Sequence, residues 1–169
     1  MSRGFVKEDD QEEAPIIPPR AALPPGETNY VTATGLRALK LEEEYLLKEI
    51  SEVDEADERE RRRTLAVLNG KLNLLKERLA SARLIKKVDT DEVRFGAEVT
   101  YKIEGNPRPV TLQIVGVDEA DVKQQKIAFT APIAKALIGK KISEEGVLKL
   151  GNESKKFVVT GISYNHNTN

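Results

Sequence analysis

The chain has no cysteine and no tryptophan, and only one methionine and one histidine among its 169 residues. Without cysteine there can be neither a disulfide nor a thiolate metal site. The lone histidine, His166, stands in a polar C-terminal tail, so a histidine-based triad or a zinc centre is not expected. No apolar run approaches the roughly 20 residues of a membrane span. The N-terminus carries an acidic run instead of the basic start and apolar centre of a secretion signal. The expectation is a cytoplasmic protein with no membrane partner. Neither sign of charge dominates: 27 Lys and Arg against 28 Asp and Glu leave a net charge of −1. No overall basic field draws the chain onto nucleic acid, so any such contact must be local. Charge is nonetheless abundant. At 33% of residues it exceeds the roughly 25% of an ordinary globular domain, which implies extended, solvated elements. The length suits one domain or two small ones.

Proline is concentrated at one end. Five of the eight prolines precede Thr28, behind the acidic block Glu8, Asp9, Asp10, Glu12 and Glu13. Each proline removes a backbone donor and restricts its predecessor, so neither a helix nor a central strand forms there. Residues 1–29 read as a disordered acidic, proline-rich arm. Ile16, Ile17 and Leu23 are apolar side chains that a plain linker does not need, so a partner-binding arm is the alternative.

The period then changes. Thr32 or Thr34 can cap a helix, after which Leu36, Leu39, Leu46, Ile50 and Val53 recur at three- and four-residue steps, with Glu43 filling one position. A second series, Leu65, Leu68, Leu72, Leu75, Leu79 and Ala82, is an unbroken heptad seam among Glu, Lys and Arg. Two such helices joined by a short connector pack as an antiparallel hairpin over residues 30–86. One continuous helix would leave the seam without a partner. The connector is expected near Ser51 to Glu58, with Asp54 and Asp57 as caps for the second helix. The first arm spans about 18 residues, or roughly 27 Å of helix.

From Val93 the period is two. Phe95, Ala97, Val99, Tyr101 and Ile103 alternate with mostly polar residues, and Glu104-Gly-Asn-Pro is turn chemistry. Val110, Leu112 and Ile114 predict a partner strand, and Lys126-Ile-Ala-Phe a short one. Val147 to Leu150 and Phe157 to Ile162 predict two more, with Glu153-Ser-Lys as the tip between them. Pro132 fits the first turn of a short helix and Gly139 its end. The fold class is α+β: a helical hairpin, then a small, mainly antiparallel sheet domain with one short helix over residues 90–164, and a tail at 165–169.

Several short segments, in this order and spacing, resemble the GreA/GreB transcription elongation factors. They are Phe95-Gly-Ala-Glu-Val-Thr, Ile114-Val-Gly-Val-Asp-Glu-Ala-Asp, Ala131-Pro-Ile-Ala-Lys-Ala-Leu-Ile-Gly-Lys-Lys and Val159-Thr-Gly-Ile-Ser-Tyr. Glu77-Arg-Leu-Ala-Ser-Ala-Arg-Leu-Ile is similar to the end of the family's second hairpin arm. The resemblance covers roughly Tyr30 to Tyr164. It implies an FKBP-like C-terminal domain that docks at the rim of the secondary channel of bacterial RNA polymerase, and a hairpin that enters the channel. The implied partners are the polymerase core and the 3′ end of the nascent RNA, with the factor a monomer. It would not be an enzyme itself: it would act through the polymerase active site on backtracked complexes.

Two departures stand out. The arms are shorter than the family's by about two turns each, and the family's tip pattern is replaced by Glu52-Val-Asp-Glu-Ala-Asp-Glu-Arg. No tip residue therefore transfers by match. Stimulated RNA cleavage needs hard oxygen ligands that help hold a second magnesium ion. The chain would have no cofactor of its own, only Mg2+ shared with the polymerase. Asp54 and Asp57 are the candidate catalytic carboxylates, and Asp54, Glu55, Asp57 and Glu58 the candidate metal ligands; helix capping and dipole compensation are the competing roles. Arg59, Arg61, Arg62 and Arg63 suit phosphate or an acidic channel wall, or else pair with nearby glutamates on a solvated face. For docking on polymerase the candidates are Asp118, Glu119, Pro132, Lys135 and Lys140. The shortened hairpin also fits Rnk-type regulators, which bind polymerase without stimulating cleavage. A prolyl isomerase is the remote alternative, disfavoured because four Phe and four Tyr supply little for an aromatic-lined pocket.

Overall fold

The computed structural model describes residues 13–86 and 90–164. His166 and the acidic residues from Glu8 to Glu12 lie outside the described residues. A two-residue strand, β1 (Tyr30–Val31), leads into helix α1 (Ala33–Ser51). Thr32 is the cap: its hydroxyl accepts the Gly35 amide at 2.9 Å. The chain turns at Glu52 to Asp57 and returns as α2 (Glu58–Ser81), capped by Asp57; Asp54 lies earlier in the turn. A second short strand, β2 (Arg83–Leu84), pairs in parallel with β1 and closes the base of the hairpin. The seams meet as the heptad pattern requires. Leu39, Leu46, Leu68, Leu72 and Leu75 are buried together, flanked by Leu36, Ile50, Val53, Leu79 and Ala82. The second arm, at 24 residues, is longer than the 19-residue first arm.

The second unit is a five-stranded sheet of β3 (Glu98–Ile103), β4 (Val110–Val115), β5 (Lys126–Ala128), β6 (Glu145–Leu150) and β7 (Glu153–Ser163), in the order β5-β4-β3-β7-β6. All neighbours are antiparallel except β4 and β5, which are parallel and joined through a 3-10 turn at Val122–Gln124. The period-two reading holds for side chains: Ala97, Val99 and Tyr101 are buried, with Leu112, Ile114, Phe157 and Val159 opposite. Helix α3 (Pro132–Leu137) starts on its proline and lays Ala134 and Leu137 into the same core. One turn differs from expectation. The β6–β7 tip is Gly151-Asn152, and Glu153 already pairs with Leu150. Gly151 at φ +61° supplies the left-handed conformation that a two-residue hairpin turn demands.

The expectation of disorder does not hold for residues 13–29. Prolines do keep this stretch free of helix and strand, yet its side chains are laid against both units. Leu23 packs on the sheet core. Ile17 sits over Gly70 of α2, where a Cβ would lie 2.1 Å from its Cδ1. The Asn29 side chain is buried and donates to the Arg78 carbonyl at 3.0 Å. The arm is held by tertiary contacts that local propensity does not encode.

The hairpin and sheet meet at β1. Tyr30 packs its ring against Phe95 and Phe129 in the sheet unit, while Val31 belongs to the hairpin cluster. Gly116, at the end of β4, permits this approach, because a Cβ there would be 2.6 Å from the Tyr30 carbonyl oxygen. Gly116→Ala is expected to cost about 1–3 kcal/mol through overpacking. A urea titration checks it: the midpoint should fall with the m-value unchanged, and an unmoved midpoint would mean that β1 gives way without cost.

Candidate functional site

The hairpin turn presents its carboxylates singly. Asp54, Glu55, Asp57 and Glu58 are all exposed. Asp57 accepts the Glu60 amide at 2.9 Å, the ordinary geometry of an N-cap. Glu58 lies 3.7 Å from Arg61, three residues along α2. Among the described residues, no group of three or more His, Asp or Glu converges as a metal site. Among the described residues these four carboxylates splay from a turn instead of converging, and one of them is committed to capping. Asp57→Ala is expected to lose about 1 kcal/mol of stability, visible as reduced helicity near the thermal midpoint by circular dichroism. No change would show that the cap is idle and the carboxylate is held for other use.

The arginines divide. Arg59, Arg62 and Arg63 recur on one face of α2 and, with Ala66, line a cleft whose far wall is Glu13, Ala14 and Pro15 of the arm. Arg61 points to a different part of the helix surface, beside Glu58. Three guanidinium groups on one exposed face can receive phosphate oxygens or carboxylates.

The docking candidates also divide. Pro132 is exposed at the first position of α3. Lys135 is half exposed and 3.7 Å from Glu27 of the arm. Lys140 is fixed by its backbone: its amide donates to Leu137 and its carbonyl accepts from Val93. Asp118 and Glu119 do not belong with these as a free surface. The Asp118 side chain is only 8% exposed and receives Arg20 Nε at 2.9 Å, with Arg78 Nε 3.2 Å away. Glu119 accepts the Thr32 hydroxyl at the start of α1 and pairs with Lys126 at 3.2 Å. Both carboxylates are spent joining the sheet to the hairpin, because a helix start and two guanidiniums lie within their reach.

Comparison with known proteins gives the architecture a family. Residues 88–164 match the family model described as transcription elongation factor, GreA/GreB, C-term. The chain is 37% identical over 120 residues to transcription elongation factor GreA of Syntrophotalea carbinolica, covering 70% of this chain and 73% of that one. It is 31% identical over 137 residues to GreA of Thermodesulfovibrio yellowstonii, covering 76% and 87%. The chain belongs to the GreA/GreB family. A 120-residue match is longer than the whole stretch 88–164, so the likeness extends beyond the sheet unit. Among solved structures, the GreA factor homolog 1 protein of Thermus thermophilus aligns over 81% of this chain and 99% of that one, at 18% identity and a TM-score of 0.38.

Sequence reasoning missed the residues that join the two units of this GreA/GreB chain. Arg20 places both terminal nitrogens on Glu42 of α1, at 2.7 and 3.0 Å, and its Nε on Asp118. The hydrogen bonds to Glu42 hold the guanidinium above its ordinary pKa, so it stays charged. Arg78 donates to the Ala21 carbonyl at 2.6 Å. The available signal was slight: Arg20 is the one charged residue in the otherwise apolar and proline-rich run from Ala14 to Gly26.

Proposed function

We propose that this chain binds the core of RNA polymerase in the cytoplasm and regulates elongation, with its FKBP-like sheet unit docked at the rim of the secondary channel and its hairpin directed inward. It acts as an auxiliary factor, with no active site of its own. The observation that carries this reading is the combination of a GreA-class sequence match running past the sheet unit with a seam-packed hairpin fastened to that unit. α2 is 24 residues, about 36 Å of helix, a probe narrow enough for a channel. Exposed Pro132 and Lys135, with the part-buried Lys140, remain the docking candidates, and Arg59, Arg62 and Arg63 the candidates for the nascent RNA or an acidic channel wall.

Immobilised polymerase core tests the reading: retention at moderate salt is expected, and absence of retention would overturn it. A second reading concerns cleavage. The splayed carboxylates and the capping role of Asp57 favour regulation without stimulated RNA cleavage, as in Rnk-type proteins. With a stalled, backtracked complex and magnesium, no increase in short 3′ RNA fragments is expected. A strong increase that Asp54→Ala plus Asp57→Ala abolishes would restore the cleavage reading. The isomerase alternative gains no support from the fold: Tyr101, Phe129 and Phe157 are buried in the sheet core.

A further inference from the structure

We propose that residues 14–29 form an intramolecular strap, and that Arg20 is a positioning residue that sets the direction of the hairpin relative to the sheet unit. The proposal concerns the free protein and does not depend on the polymerase reading.

The direct junction is narrow. It includes Tyr30 and Val31, the Tyr30–Gly116 approach, the Thr32–Glu119 hydrogen bond and the Arg78–Asp118 ion pair, at the start of α1 and the last turn of α2. Contacts grouped at a hinge resist tilting weakly because they have little lever arm. Arg20 acts away from that hinge. Glu42 lies ten residues beyond Thr32, about 15 Å along the helix axis. The guanidinium spans from this point to Asp118 on the sheet unit, using its planar fork on one carboxylate and Nε on the other. Asp118 is 8% exposed and Arg20 17%, so the sheet end of the link is shielded from solvent screening, while Glu42 at the helix end keeps 41% exposure.

The rest of the strap is tied at intervals on both sides of the joint. Ile17 occupies the notch left by Gly70 on α2. The Ala21 carbonyl takes a hydrogen bond from Arg78. Leu23 packs on the sheet core, and Glu27 pairs with Lys135 of α3. The Gly70 notch is informative because glycine inside a helix costs about 1 kcal/mol against alanine. That cost has a structural return only if something sits in the notch. A groove of about 750 Å3 runs beneath the strap along α2, lined by Ile17, Leu23, Asn73, Leu74 and Arg78 among others. The strap therefore spans this part of the helix and meets it at discrete points.

The absence of native cysteine makes the test clean. Glu55→Cys at the hairpin turn and Asn152→Cys at the β6–β7 tip, both exposed, receive spin labels, and pulsed electron paramagnetic resonance reads the distance between them. The otherwise unaltered chain is expected to give one narrow distribution. Arg20→Ala and deletion of residues 1–26 are each expected to broaden it to at least twice the width or to shift its centre, with helix content by circular dichroism retained. Arg20→Lys keeps the charge but loses the fork, and should fall between. Gly70→Leu strengthens α2 yet fills the notch, so it should broaden the distribution while raising the thermal midpoint, a pairing that a merely stabilising contact does not produce. Distributions in the Arg20→Ala and truncated proteins that superimpose on the parent would overturn the proposal. If one of these two variants does not fold, the other and Gly70→Leu decide. Because the measurement uses no polymerase, its failure is distinct from failure of polymerase retention.

Discussion

Leu75→Ala is expected to destabilise the protein by about 3 kcal/mol, within the 2–5 kcal/mol that such truncations cost. Leu75 is completely buried in α2, in the cluster it shares with Leu39, Leu46, Leu68 and Leu72 of the hairpin. The hairpin core is one seam deep, so there is no second layer to collapse into the space. The loss should fall on the hairpin and spare the sheet. Hydrogen exchange can resolve this: amides of α1 and α2 should lose protection while those of β3 and β7 keep theirs. Equal loss in both units would show that they unfold as one cooperative block.

Asp118→Ala is expected to cost about 2–3 kcal/mol. Removing one member of a buried ion pair costs about 3–5 kcal/mol when the partner charge is left uncompensated. Here the Arg20 and Arg78 side chains keep 17% and 13% exposure, and each has a second acceptor, Glu42 and the Ala21 carbonyl. Those features bring the figure to the lower end. Asp118→Asn should recover part of the loss, since an amide oxygen still accepts from Arg20. Chemical denaturation measures both variants. A change below about 0.5 kcal/mol for the alanine variant, the ordinary level for an exposed pair, would mean that the cluster contributes no more than surface charges do.

Much of the fold was legible because it follows from local period. The seams from Leu36 to Val53 and Leu65 to Ala82, the alternation from Ala97 to Ile103, the Thr32 cap and the Pro132 start each depend on residues within one turn or one strand pair. The β6–β7 tip was misplaced by two residues because Gly151 and Glu153 are both compatible with a turn, and only pairing register separates them. The candidate site was less legible. Asp118 and Glu119 look like free surface carboxylates in a turn, and their partners Arg20, Arg78, Thr32 and Lys126 are brought to them mostly from far along the chain. The tip carboxylates were found, but composition does not say whether they converge.

By itself, the sequence determined that this chain is a seam-packed hairpin followed by a small sheet domain, with no cysteine chemistry and with GreA/GreB motifs in order. Hydrophobic period and turn chemistry are properties of neighbouring residues, so they survive in one dimension. Only the tertiary structure decided that the proline-rich arm lies across the joint, that Gly70 and Gly116 are there for close approach, and that Asp118 is engaged by Arg20 and Arg78. These depend on side chains separated by up to 98 positions along the chain. Whether a charge is spent internally or offered to a partner is settled by which groups the fold brings within hydrogen-bond reach.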